Sequence, residues 1–92
     1  MSILTAEQKD AALKELDDWR SDGDAIVRDL RFKDFGRAME FVNQVAEVAE
    51  EQRHHPDIDI RYNHVTLRLS SHDVGGVTAR DVVLAQAINR LA

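Results

Sequence analysis

Residues 50–72 read EEQRHHPDIDIRYNHVTLRLSSH, and a change of period inside this stretch decides the fold. From Asp57 onward the repeat is two. Ile58, Ile60 and Tyr62 alternate with Asp57, Asp59 and Arg61, as in a strand with one buried face. Asn63 marks a turn, and Val65, Leu67 and Leu69 then alternate with His64, Thr66 and Arg68. Two such runs around a turn predict an antiparallel hairpin. Upstream of Pro56 the repeat is helical. Residues before proline are pushed out of helical ψ, so that helix should end at the His54-His55 pair.

The pattern extends in both directions. Asp34 is a candidate N-cap for a long helix reaching about Arg53. Phe35, Ala38, Met39, Val42, Val45, Ala46 and Ala49 form its apolar stripe. Phe41 and Val48 lie off that stripe. They suggest either an oligomer contact or a wider core-facing stripe. Before Asp34, Ile26 to Phe32 reads as a strand, paired through a Gly23 turn with the segment around Trp19. Trp19 itself is expected in the core. Thr5-Ala6-Glu7-Gln8 fits a capping box that opens a helix to about Leu16, with Ala12, Leu13 and Leu16 turned inward. Gly75-Gly76 breaks the chain, and Thr78 opens a last helix burying Val82, Val83, Leu84, Ala87, Ile88 and Leu91. The order is α-β-β-α-β-β-α. It predicts one α+β domain over residues 1–92, with a four-stranded antiparallel sheet and helices packed on one face.

Bulk properties narrow the function. A chain of 92 residues with 43% hydrophobic and 32% charged residues has the composition of a soluble globular domain. It has no cysteine, so disulfides and thiolate chemistry are excluded. The start turns charged after four residues, unlike a signal peptide, and no apolar run approaches membrane-spanning length. The expected location is the cytoplasm. A formal net charge of −5 argues against a nucleic-acid partner.

Histidine is scarce, four in all, and two stand side by side before the only proline. Glu50 is four residues before His54, so both project from one helix face. If the hairpin forms, the end of its second strand returns beside Pro56. His72 then comes back to His54 and His55, with a carboxylate near. Three readings compete for such a cluster. One is surface histidines favoured at a helix C-terminus. The second is a metal site, although no compact motif such as H-E-x-x-H is present. The third is metal-free acid–base catalysis, since imidazole both gives and takes protons near neutral pH. His64 falls on the polar parity of its strand and reads as solvated. Asp81, three residues after Thr78, is a capping-box acid in its own right.

The spacing Glu50, His54-His55-Pro56, Tyr62, His72, Asp81 resembles the signature of the pterin-4a-carbinolamine dehydratases. DAIVRDLRFKDFGRAMEFVNQVA, residues 24–46, is similar to that family's first-strand and central-helix segment. With the Trp19 region and the final helix, the likeness covers nearly the whole chain. The resemblance implies dehydration of 4a-hydroxytetrahydropterin to quinonoid dihydropterin, a step in recycling the tetrahydrobiopterin-type cofactor of aromatic hydroxylases. It implies no metal and no cofactor, the pterin being the substrate. It places catalysis on His54, His55 and His72. It places substrate contacts on Glu50, Pro56, Ser71, Asp73 and Asp81. It also implies a homodimer or homotetramer built through the central helix and a sheet edge. Two departures stand out. Asp57-Ile58-Asp59-Ile60 follows the proline where many members carry aromatic residues, and Arg53 stands where some are acidic. A catalytically silent pterin-binding or dimerisation module on the same fold is the alternative.

Overall fold

The computed structural model describes residues 2–92. Its elements are α1 (Ala6–Lys14), β1 (Arg20–Asp22), β2 (Ala25–Arg31), α2 (Phe35–Gln52), β3 (Asp57–Arg61), β4 (His64–Leu69) and α3 (Ala79–Leu91). The order is the one expected. The four strands form one antiparallel sheet in the order β1-β2-β4-β3, with the helices on one face. Cross-strand partners share a face. Val65, Leu67 and Leu69 of β4 therefore stand with Leu30, Arg28 and Ile26 of β2 under the helices. The three β4 residues are fully buried, as their alternation requires. Their neighbours His64, Thr66 and Arg68 fall on the open face, opposite Arg31, Asp29 and Val27.

Both ends of the chain follow their caps. Thr5 and Gln8 make the reciprocal capping box of α1. The helix stops at Lys14, short of the expected Leu16, yet Leu16 is still buried through the following turn. Gly23, at φ 59°, turns β1 back onto β2. Trp19 is in the core, and its Nε1–H donates to Asn89 Oδ1 at 2.7 Å. The same oxygen accepts from Arg28 Nη1 at 2.6 Å, which ties α3 to the sheet.

Three expectations needed correction. The buried face of α2 is Ala38, Phe41, Val42, Val45 and Ala49. Phe41 and Val48 thus belong to the core side, whereas Phe35 and Ala46 are exposed. Phe41 packs on Phe32 with ring centroids 5.2 Å apart, so its place off the stripe is no sign of a second partner. Tyr62 is not a strand residue. It takes φ 51° in the β3–β4 turn and is 66% exposed. β3 is an edge strand with little laid over it, which leaves Ile58 half-buried and Ile60 exposed. On α3, Val83 is 51% exposed and Ala85 is buried instead.

Candidate active site

The end of α2 builds one wall. Arg53 takes the left-handed conformation, φ 52° and ψ 40°. Its N–H donates to Glu50 O at 3.2 Å, and His54 N–H donates to Ala49 O at 3.1 Å. That pair of bonds is the Schellman closure, usually made with glycine in the left-handed position. The helix therefore ends at Gln52, one residue before the histidine pair, and Arg53 rather than Pro56 stops it. The reversal at Arg53 sends the two histidines apart. His54 is buried, and His55 is exposed.

His54 Nε2 bonds Asp81 Oδ1. Asp81 is fully buried and is the N3 residue of α3's capping box. Its Oδ2 accepts from the Thr78 backbone N–H and from Ser71 Oγ, both at 2.9 Å. Ser71 Oγ also lies 2.8 Å from Thr78 Oγ1. The Ser71 proton is committed to Asp81, so the Thr78 hydroxyl donates to Ser71. The Ser71 hydroxyl and the Thr78 N–H thus both point donors at the carboxylate. The bond from Asp81 to His54 Nε2 holds the imidazole's orientation, with Nε2–H as the donor and the carboxylate oxygen as the acceptor. An imidazole that donates there through Nε2 has its other nitrogen, Nδ1, outside that bond.

His55 Nε2 bonds Glu50 Oε2, five residues back along the chain. The helix-face rule pairs Glu50 with His54, but the left-handed turn at Arg53 gives that carboxylate to His55 instead. His72 stands in the loop after β4. That loop is closed by the Ser71 carbonyl, which accepts from Val74 N at 3.1 Å and Gly75 N at 2.9 Å. Gly75, at φ 73°, supplies the left-handed turn. His54, His55 and His72 line one open cleft of about 250 Å³, as the hairpin return predicts. Asp73 and Arg80 also line it.

The remaining predicted positions divide. Glu50 and Asp73 are exposed, and Pro56 is half-buried. Ser71 and Asp81 are buried at 1% and 0% exposure, so neither is placed to touch a ligand. Asp81 bonds His54, and Ser71 bonds Asp81. His64 is not simply solvated: its Nε2 lies 3.6 Å from Asp29 Oδ1 on the open sheet face. Among the described residues, no three His, Asp or Glu converge as a metal site. Arg80 was missed. Its Nη2 donates to the Arg53 carbonyl at 3.0 Å, bridging α3 to the end of α2. The signal was present in its place beside Asp81, in the first turn of a helix that faces the cleft.

The sequence profile described as Pterin 4 alpha carbinolamine dehydratase matches residues 2–91. The chain belongs to that family. Among its relatives, a protein of Thermomicrobium roseum, provisionally named a pterin-4-alpha-carbinolamine dehydratase, is 56% identical over 80 residues. That match covers 87% of this chain and 86% of the relative. A protein of Nocardia farcinica with the same provisional name is 48% identical, over 98% of this chain and 95% of the relative. Among solved structures, a transcriptional coactivator/pterin dehydratase from Brucella melitensis superposes with a TM-score of 0.94 at 40% identity. The superposition covers 99% of both chains. A pterin dehydratase-like RuBisCO assembly factor of the alpha-carboxysome shares the fold, with a TM-score of 0.70 at 21% identity over 80% of this chain and 88% of that one. Family membership agrees with the α+β architecture and with a pterin as the ligand class.

Proposed function

We propose that this protein dehydrates 4a-hydroxytetrahydropterin to quinonoid dihydropterin by histidine acid–base catalysis. The observation that carries this reading is the convergence of three imidazoles on one cleft, one of them oriented by a buried carboxylate. The leaving group is a hydroxyl on a tetrahedral carbon next to a ring nitrogen. The nitrogen lone pair expels it, provided that an acid protonates the hydroxyl and a base removes a ring N–H proton. His54, with Nε2 bonded to Asp81, has its lone pair on Nδ1 and suits the base. His55 and His72, both exposed, suit the acids that flank the hydroxyl. Glu50 orients His55 first, and its second oxygen is left for the pyrimidine N–H edge. Pro56 and Asp73 border the bound ring. General acid–base assistance of about 10²–10⁴-fold is a fitting demand on so shallow a cleft.

In this reading the pterin is the substrate, and the chain needs neither metal nor cofactor. Among the described residues no helix is long and apolar enough to cross a membrane. We place the reaction in the cytoplasm, in tetrahydropterin recycling. Phe35 on α2 and Ile60 on β3 are exposed large apolar residues, 49% and 37%. They support a homodimer or homotetramer assembled through the central helix and the β3 edge. These exposed residues also favour the second reading, a silent pterin-binding or dimerisation module.

Stopped-flow dehydration of synthetic 4a-hydroxytetrahydropterin separates the two. Activity is expected, and it should survive exhaustive chelation. The His55→Ala/His72→Ala double variant should fall close to the uncatalysed rate. Near wild-type kcat in that variant would refute the acid–base assignment to His55 and His72, and no wild-type activity above background would leave the module as the better reading. Loss of activity on chelation, restored by zinc, would select a metal site.

A further inference from the structure

A second hollow, about 350 Å³, shares two walls with the histidine cleft. His54 and Arg80 line both. Arg80 is held between them by its bond to the Arg53 carbonyl. The two hollows differ in chemistry. The cleft presents imidazoles. The second is walled by Ala79 and Val83, with the Gln52 side chain as its neutral polar group. Val83 is a large aliphatic residue left half in solvent on a helix whose other apolar positions are mostly covered.

We propose that this hollow receives the substituent on C6 of the tetrahydropterin, and that Val83 and Gln52 determine which substituent is accepted. The proposal rests on the dehydratase reading of the cleft. In the substrate, C6 is joined to C4a through N5 alone. A ring whose C4a hydroxyl lies among the three histidines therefore carries its C6 group close to the wall that the hollows share. The pyrimidine edge points away, on the far side of C4a. A short hydroxylated alkyl chain matches what the hollow offers. Its carbons meet Ala79 and Val83, and its hydroxyls meet an amide that both donates and accepts. The Arg80 guanidinium adds donors at the entrance.

The test compares 4a-hydroxytetrahydropterins carrying a 6-dihydroxypropyl or a 6-methyl group. Val83→Trp fills the hollow from an exposed position, so the core is left intact, which a melting curve verifies. The readout is the ratio of kcat/KM for the longer to the shorter substituent. Val83→Trp should lower that ratio by about tenfold or more, chiefly through KM, as loss of an apolar subsite does. Gln52→Leu should lower it in the same direction. A ratio unchanged in both variants overturns the proposal. Should the wild type dehydrate neither substrate above background, the dehydratase reading fails by itself. Pterin fluorescence then decides the subsite: a preference for the 6-dihydroxypropyl pterin that Val83→Trp abolishes sustains it, and no preference removes it.

Discussion

One carboxylate holds the site together. Asp81 serves the Thr78 cap with one oxygen and His54 with the other. An asparagine there keeps a carbonyl for the cap but turns an N–H₂ donor toward His54. The imidazole must then accept at Nε2 and carry its proton on Nδ1, the nitrogen that faces the base's task. Asp81→Asn is therefore expected to lower kcat about a hundredfold or more, by the wrong-tautomer effect known from catalytic triads. Its melting temperature should change little. Nitrogen-15 chemical shifts of His54 would report the tautomer directly, and an unchanged tautomer would refute this role. Directly after the last residue of α2, Arg53 raises the opposite case. A branched-free but bulky side chain at positive φ costs about 1 kcal/mol, and glycine relieves it. Arg53→Gly should thus raise stability to urea by about that amount. No gain in the unfolding midpoint would show that the Arg53 side chain contributes a compensating contact.

At the scale of elements, the legible parts were those governed by one local rule. The β4 alternation, the Thr5, Asp34 and Thr78 caps and the Gly23 turn each have a single physical cause, and all formed. What could not be read was anything that depended on how elements lie over one another. Phe41 and Phe35 are both plausible core residues on a helical wheel, and only the position of Phe32 beneath α2 selects Phe41. The same holds at the site. The hairpin return was legible and brought His72 to the pair. The division of labour within the pair was not, because it turns on a left-handed Arg53 that no local rule demands. The buried role of Asp81 was hidden behind its cap, which explained the residue well enough alone. Phe41→Ala should cost about 3–5 kcal/mol, the range for a buried phenylalanine, irrespective of protein concentration. Phe35→Asp, at an exposed position, should leave the monomer folded and weaken assembly. Light scattering together with urea unfolding distinguishes them, and the opposite pattern would return Phe41 to the interface.

For the whole molecule, the sheet has one face covered by helices and the other held by polar contacts between strands. Asp29 sits at the centre of that open face. It accepts from Thr66 Oγ1 on β4 at 2.7 Å and from Arg20 Nη1 on β1 at 2.5 Å, with His64 beyond. Three strands are thus pinned by one side chain. The Thr66 hydroxyl does most to hold the carboxyl below its ordinary value of 3.8, partial burial opposes it, and Arg20 and then His64 add to the lowering. The sign follows from linkage. A carboxyl whose pKa is lower folded than unfolded stabilises the fold at pH above the unfolded value, and the benefit is lost as pH falls through the folded one. Solvent reaches two-fifths of the Asp29 side chain, so screening keeps the contribution below about 1 kcal/mol. Asp29→Asn should therefore lower the urea midpoint slightly at about pH 7, and the gap to wild type should close as the pH is taken well below 3.8. Thr66→Val should act in the same direction, because it removes the largest cause of the shift. A gap between wild type and Asp29→Asn that stays constant from neutral pH to about pH 2 would mean that Asp29 matters for packing or register and not for its charge.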